Sequence, residues 1–380
     1  MGTIMEYLDW RGDLDFSKDP FNHIDALILA MLSYLPFKDI VPGVESRRAI
    51  PLKDVSTHFF SNNRGAKPKS SAINPTASPA LDSEILQLFK KTASCPRFEK
   101  IRLSNYEEHM DFVVGQQFAA ITYILPGLKR GKIVAFRGTD NTMIGWKEDF
   151  EIDCMEQVPA QQSASRYLKR AIGIFSGRVI VCGHSKGGNL AVYAGSRLNP
   201  IRRNKLSEII NFDGPGFDFS IIPPASFKAC ENKISNYVPE ESIVGMLLEP
   251  VGKRNVVSSS SHGIEQHNAL NWKVMGAKFT DGELSGTARL LEQTLKTWLA
   301  DFPNAKRKMF IEALFDILGA SEGRTIDPGE NIKEMKNIYT KYSKLDDETK
   351  ALLSEVFSTL TEKTRNTIST SIKANLAKIK

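Results

Sequence analysis

The sequence lacks the features that mark several large classes of protein. Its four cysteines show neither CxxC nor metal-ligand spacing, so we predict no disulfide framework and no metal site. The longest apolar stretch near the amino terminus, residues 24–35, contains Asp25 and is too short to cross a bilayer. No basic start is followed by an apolar leader, which favours a cytoplasmic location.

The sequence also has only a small excess of one charge sign. The 380 residues carry a net charge of +6, and the basic side chains are spread along the chain without a dense block beside aromatic residues. Nucleic-acid-binding proteins need such a basic surface, so nucleic acid is not an expected partner. The hydrophobic fraction of 41% with 25% charged residues is typical of a soluble globular protein.

The middle of the chain alternates short apolar runs with helical patterns. This order predicts an α/β fold, with a mostly parallel central sheet flanked by helices. The predicted strands are 118–125, 132–136, 179–182, 208–212 and 234–238, and the predicted helices between them are 163–175 and 189–198.

The carboxyl-terminal part has a different pattern. After residue 286 the strand signals stop and amphipathic helical patterns follow one another. We therefore predict two parts, an α/β domain at 1–285 and a helical extension at 286–380. The basic tail at 372–380 suggests peripheral contact with a membrane surface as an alternative role for the chain, although such tails are more often solvated helices.

A candidate nucleophile follows the apolar strand 179–182. Ser185 lies in Gly183-His184-Ser185-Lys186-Gly187, directly before a helix rich in small residues. A serine projected from a tight strand-to-helix turn needs glycines where the two backbones approach closely, which this motif supplies. The alternative is a structural glycine turn without chemistry.

A serine nucleophile also needs donors for the oxyanion. In a fold with this turn, one donor is the backbone N–H after the nucleophile, here that of Lys186, and the second comes from a loop after an earlier strand. Thr139 follows the predicted strand 132–136 and fits the second position. Its hydroxyl could instead cap a turn.

The base and the acid should come later in the chain. His267 and His262 are the histidines after Ser185, and we favour His267 because it precedes an apparent helix. His184 is interpreted as structural. For the acid we favour Asp213, in a tight turn after strand 208–212, over Glu240 and Glu241, which follow the next strand.

These motifs resemble a known family. Phe136-Arg137-Gly138-Thr139, then Trp146 and Asp149, then the motif around Ser185, resemble the class 3, fungal-type lipases and, more closely, a bacterial lipase-like family whose function is not characterised. The resemblance covers about residues 1–285. It implies an α/β-hydrolase fold, with Ser185 as nucleophile, His267 as base, and Thr139 and Lys186 at the oxyanion hole.

The resemblance fails at the acid. Class 3 lipases carry an aspartate shortly before a Val-Pro pair after the later strand, and Ser242 stands at that position here. The choice between Asp213 and Glu241 is therefore left to geometry.

The functional hypothesis is hydrolysis of carboxylic esters, small or lipid, through an acyl-enzyme and without metal or organic cofactor. The alternative is a non-catalytic, hydrolase-like module that binds a partner or a membrane surface. The apolar segment 217–227 and the insertion 141–162 are candidate lids over an acyl pocket.

Overall fold

The computed structural model describes residues 2–62, 79–111, 116–126, 131–139, 158–173 and 176–290, with a few residues beyond 290. Trp146, Asp149, most of the insertion 141–162, the predicted carboxyl-terminal helices and the basic tail lie outside the described residues. The proposed boundary near residue 286 therefore stays a prediction.

An eight-stranded sheet forms the centre of the molecule, and its strands lie side by side in chain order. Strands β1 to β4 pair antiparallel, and β4 to β8 pair parallel. The strands are β1 Ile50–Pro51, β2 Arg102–Asp111, β3 Gln116–Ile124, β4 Lys132–Phe136, β5 Val179–His184, β6 Leu206–Phe212, β7 Ile234–Pro239 and β8 Arg254–Val257. A separate hairpin joins β9 Val274–Met275 to β10 Lys278–Phe279.

Helices cover both faces of this sheet. They are α1 Ile4–Arg11, α2 His23–Leu32, α3 Leu52–Asn62, α4 Pro79–Ser94, α5 Pro159–Ala171, α6 Lys186–Ser196 and the short α7 Pro200–Arg203. Helices α1 to α4 share one buried core with one face, and α5 and α6 share a second core with the other. Five short 3-10 turns complete the described chain, at Pro224–Ser226, Glu231–Lys233, Val244–Met246, Gly263–His267 and Ala269–Asn271.

The parallel strands are built from apolar residues because helices bury both of their faces. In β4 and β5 nearly every side chain is buried. Their register sets Phe136 beside Gly183 and His184 beside Phe212, so the carboxyl ends of β4, β5 and β6 lie level. Side chains that follow these strands therefore gather at one edge of the sheet.

Helix α2 is the central helix of its face and is buried from Ile24 to Leu32. The Asn22 side chain caps its amino end by accepting from the N–H groups of Ile24 and Asp25. The helix ends at Leu32, and the chain continues into hydrogen-bonded turns at Ser33 and Tyr34. These turns place Tyr34 at the edge of the sheet where β5 ends.

A mostly parallel sheet with helices on both faces and a sharp turn after β5 is the predicted α/β-hydrolase architecture, so the fold class is confirmed. In the candidate lid segment 217–227, Phe217, Ile222 and Phe227 are buried in a core, whereas residues 220 and 223–225 are exposed. None of the helices in the described ranges combines the length and apolar character needed to span a bilayer.

Candidate active site

Ser185 lies on the sharp turn between β5 and α6. Its φ of 57° and ψ of −134° belong to a region that residues with a side chain rarely adopt. Glycines make the turn sterically possible, since a Cβ at Gly183 would lie 2.2 Å from the Gly187 backbone. A Cβ at Gly187 would lie 2.2 Å from the carbonyl oxygen of Phe136. The turn places Ser185 beyond the carboxyl end of β5, with 8% of its surface exposed.

The two predicted oxyanion-hole residues flank this turn. Lys186 is the first residue of α6, so its backbone N–H lies at the amino end of the helix. The loop after β4 runs alongside, because a Cβ at Gly138 would lie 2.6 Å from the carbonyl oxygen of His184. Thr139 is the next residue of that loop and is partly exposed. The structure thus brings the loop that carries Thr139 against the end of β5.

A histidine and a carboxylate meet at the same edge. The Nδ1 atom of His267 lies 2.7 Å from Oδ2 of Asp213. Asp213 is fully buried directly after β6, whereas the His267 side chain is 22% exposed. The Ser185 N–H donates to the carbonyl of Phe212 at 2.9 Å, which ties the serine turn to the strand that carries the carboxylate.

The serine hydroxyl and the histidine ring share no direct hydrogen bond within the described residues, where the ring bonds to Asp213. Hydrogen bonds between nucleophile and base are often long or poorly aligned in the absence of substrate. His267 ends the 3-10 turn Gly263–His267, rather than preceding a longer helix as its sequence context suggested.

The second oxygen of Asp213 is held by Ser242, which follows β7. The Ser242 Oγ lies 2.5 Å from Asp213 Oδ1 and also accepts the N–H of Gly245 at 3.0 Å. Strands β6 and β7 end side by side, so a hydroxyl at this position reaches the carboxylate supplied by the neighbouring strand. Where the class 3 pattern has an aspartate, this chain has Ser242, and the Ser242 hydroxyl contacts the carboxylate of Asp213.

The alternative acids make other contacts. Glu241 accepts the backbone N–H of Gly263 through Oε2, and its own N–H donates to Gln266 Oε1 at 2.8 Å. The Oε1 of Glu240 accepts from the Ser258 hydroxyl at 3.2 Å. Glu241 thus holds the turn that ends at His267, and neither glutamate hydrogen-bonds to the His267 ring in the described structure. The alternative base, His262, is exposed.

Buried amides hold the loop after β6. Asn189 of α6 donates to the carbonyls of Pro215 and Gly216 at 3.3 and 2.9 Å, and Asn211 accepts the N–H of Gly214 at 2.9 Å. Because Asn189 belongs to the helix that begins beside Ser185, these bonds couple the serine turn to the loop that carries Asp213.

His184 has contacts that the sequence did not suggest. Its Nε2 lies 2.7 Å from the carbonyl oxygen of His267, and its Nδ1 lies 2.9 Å from the hydroxyl of Tyr34. Burial, assisted by the nearby His267, lowers the pKa of His184 to about 3, so the ring is neutral at neutral pH. Tyr34 is 150 residues away along the chain, and no local pattern connects the two.

The cavity of about 690 Å³ around Lys132, Arg178 and Ser207 is separate from the candidate site. It lies at the opposite edge of the sheet from Ser185 and therefore does not adjoin the serine. Across the described ranges, His, Cys, Asp and Glu side chains form no group of three or more that could hold a metal ion.

The family profile named Mbeg1-like matches residues 92–316, which include the candidate site residues from Thr139 to His267. The chain belongs to the Mbeg1-like family. This family is lipase-like, so the predicted relationship to the α/β-hydrolase superfamily is confirmed. Comparison with curated proteins gives no match. Among solved structures, the Mbeg1-like chain is similar to the crystal structure of M37 lipase, with 16% identity and a TM-score of 0.33, over 59% of this chain and 69% of that chain.

Proposed function

We propose that this Mbeg1-like protein is a serine hydrolase of carboxylic esters, in which Ser185, His267 and Asp213 form the catalytic triad. The single observation that carries the proposal is the 2.7 Å contact between His267 Nδ1 and the buried Oδ2 of Asp213, beside a serine on a strand-to-helix turn. Lipid esters are included among the proposed substrates because the family is lipase-like.

The contact with Asp213 sets the proton positions on the His267 ring. A carboxylate only accepts hydrogen bonds, so Nδ1 of His267 carries the proton and Nε2 keeps a lone pair. In the proposed reaction, Ser185 Oγ attacks the ester carbonyl carbon while Nε2 takes the hydroxyl proton. The same proton then passes to the leaving alcohol, which gives an acyl-enzyme that water hydrolyses by the reverse sequence.

The oxyanion of the tetrahedral intermediate would be bound by backbone N–H groups. That of Lys186 lies at the amino end of α6, where the helix dipole also favours negative charge. The loop that contains Thr139 lies against the end of β5, and a backbone N–H of that loop would be the second donor. Removal of one such donor typically lowers kcat by about 10²–10³-fold.

The nucleophile is tested with a fluorophosphonate probe and mass spectrometry of the labelled peptide. We expect label on Ser185 of the unaltered protein and none at that position in Ser185→Ala. A panel of p-nitrophenyl esters from acetyl to palmitoyl then defines the acyl class. Folded protein that leaves Ser185 unlabelled and hydrolyses none of these esters would contradict the proposed function.

The acid is tested with two matched substitutions, Asp213→Asn and Glu241→Gln. Each replaces a carboxylate by its amide and leaves the size of the side chain almost unchanged. Asp213→Asn should lower the rate of Ser185 labelling by about 10³–10⁴-fold, because an amide cannot stabilise the imidazolium and favours the wrong ring tautomer. Glu241→Gln should change it less than threefold, since an amide oxygen can still accept the N–H of Gly263. The reverse ranking would transfer the acid to Glu241.

A further inference from the structure

His184 is a buried ring that the proposed reaction does not use. It directly precedes Ser185, and its ring centroid lies 4.7 Å from that of His267. Only 5% of its surface is exposed. Both ring nitrogens are engaged, Nδ1 with the hydroxyl of Tyr34 and Nε2 with the carbonyl oxygen of His267. The ring therefore bridges one side chain and the backbone of the proposed base.

The direction of both hydrogen bonds follows from their chemistry. A carbonyl oxygen only accepts, so Nε2 of His184 carries the proton and donates to His267. The ring is neutral because burial lowers its pKa. Nδ1 therefore has a lone pair and accepts from the hydroxyl of Tyr34. The donors run in one direction, from Tyr34 through His184 to the backbone of His267.

Tyr34 also contacts the loop proposed to form the oxyanion hole. A Cβ at Gly138 would lie 2.1 Å from the Tyr34 hydroxyl oxygen and 2.6 Å from the His184 carbonyl oxygen. Gly138 is thus in close contact with both residues, and it directly precedes Thr139. His184 thus contacts the backbone of the base, and both His184 and Tyr34 contact the backbone of the oxyanion loop.

We propose that Tyr34 and His184 are positioning residues that hold the backbone of His267 and the loop at Gly138 in place around Ser185. This inference rests on the proposed function. A proton acceptor and an oxyanion donor work only at defined distances from the reacting atoms, and a displacement of about 1 Å can cost about 10²-fold in rate. Hydrogen bonds between parts of the chain that are 150 and 83 residues apart supply this constraint.

The first test compares Tyr34→Phe with the matched control Tyr123→Phe. Both tyrosines are buried and each hydroxyl donates one hydrogen bond, that of Tyr123 to the carbonyl of Leu29 at 2.9 Å. The second-order rate constant of fluorophosphonate labelling at Ser185 should fall about five- to tenfold in Tyr34→Phe, as expected when one hydrogen bond is lost. It should stay within twofold in Tyr123→Phe. Equal rates in the two variants would overturn the inference.

The second test compares His184→Leu with His184→Gln. Leucine removes both hydrogen bonds, whereas the glutamine amide places an N–H donor close to the position of Nε2. Labelling of Ser185 should be slowest in His184→Leu and at least threefold faster in His184→Gln, with the folded state of each checked by thermal unfolding. A His184→Gln variant as slow as His184→Leu would exclude the hydrogen bond to His267 as the cause.

A third measurement does not depend on reactivity. Nitrogen-15 NMR of histidine-labelled protein distinguishes the two neutral ring tautomers, and the loss of one signal pair in His184→Gln assigns the residue. We expect the Nε2–H tautomer at pH 7, and the Nδ1–H tautomer or a charged ring would overturn the inference.

Absence of Ser185 labelling in the unaltered protein would contradict the proposed function and this inference together, whereas labelling insensitive to Tyr34→Phe would contradict the inference alone.

Discussion

The two oxygens of the Asp213 carboxylate have different partners. Oδ2 contacts the ring of His267, and Oδ1 accepts from the hydroxyl of Ser242. The Ser242 hydroxyl donates to Asp213 because a carboxylate only accepts, and the Ser242 oxygen also accepts the N–H of Gly245. The backbone of Asp213 has a φ of 51°, a left-handed conformation that aspartate tolerates better than most residues. Together these constraints orient the carboxylate toward His267.

Ser242→Ala should therefore weaken the proposed triad. Loss of a hydrogen bond to a charged acceptor costs about 1.5 kcal/mol, which predicts a roughly tenfold lower rate of Ser185 labelling. Ser259→Ala is a matched control, because Ser259 is buried, donates to the carbonyl of Asn271 and accepts the N–H of Ser261. The control should label within twofold of the unaltered protein. Similar losses in both variants would indicate a general packing effect instead of orientation of Asp213.

The sequence identifies the candidate site residues better than it identifies the residues that hold them in place. Ser185 and Asp213 are recognisable because each follows an apolar strand and is surrounded by glycines that a tight turn requires. The choice between Asp213 and Glu241 needed coordinates, since neighbouring parallel strands deliver both to one edge of the sheet. Tyr34 could not be found locally, because its contact with His184 depends on how α2 packs against β5.

At the scale of elements, the position of α2 depends on a buried ion pair. Arg97 donates to Asp25 through Nε and Nη2 at 2.8 and 2.6 Å, and both side chains are fully buried. Its Nη1 and Nη2 also donate to the carbonyls of Leu14, Asp19 and Pro20. Burial raises the pKa of the Asp25 carboxyl, and the Arg97 guanidinium opposes that rise.

Arg97→Met should cost about 3–5 kcal/mol in the free energy of unfolding, because it leaves the Asp25 carboxylate buried without its cation. The double variant Asp25→Asn/Arg97→Met removes that charge and should recover more than about 1 kcal/mol. Lys53→Met is the control, since the Lys53 side chain of the Lys53–Glu99 pair is 66% exposed and the pair should contribute less than about 0.5 kcal/mol. Urea denaturation at pH 7 measures all three. A double variant no more stable than Arg97→Met would show that the lost carbonyl contacts dominate.

Elements with uniform apolar patterns were predicted well, and polar or short ones were missed. Strand β4 was predicted with its observed bounds, and β5 and β6 to within two residues at either end. Strand β2 was missed because charged and polar residues interrupt its apolar ones, and it pairs with β3 through an irregular register. Strand β8 has only four residues, and its pairing depends on β7, which no local signal encodes.

At the scale of the whole molecule, His184 links acid stability to the site. Its folded-state pKa of about 3 lies below the unfolded value of about 6.5. Between these values the unfolded chain binds the proton more readily, so the free energy of unfolding rises with pH. The contribution of His184 is complete above about pH 6.5 and is lost as the pH falls toward 3. Tyr34 and His267, the latter bonded to Asp213, face the ring.

This linkage predicts the pH dependence of His184→Gln. Between pH 7 and pH 5 the unaltered protein should lose about 2 kcal/mol more stability than the variant, because only its unfolded chain takes up a proton at position 184. Both proteins share all carboxylates and the other five histidines, so the difference between their slopes isolates this ring. Urea midpoints at pH 5, 6 and 7 provide the measurement. Parallel slopes would mean that His184 titrates normally in the folded state, which its burial between Tyr34 and the carbonyl of His267 argues against.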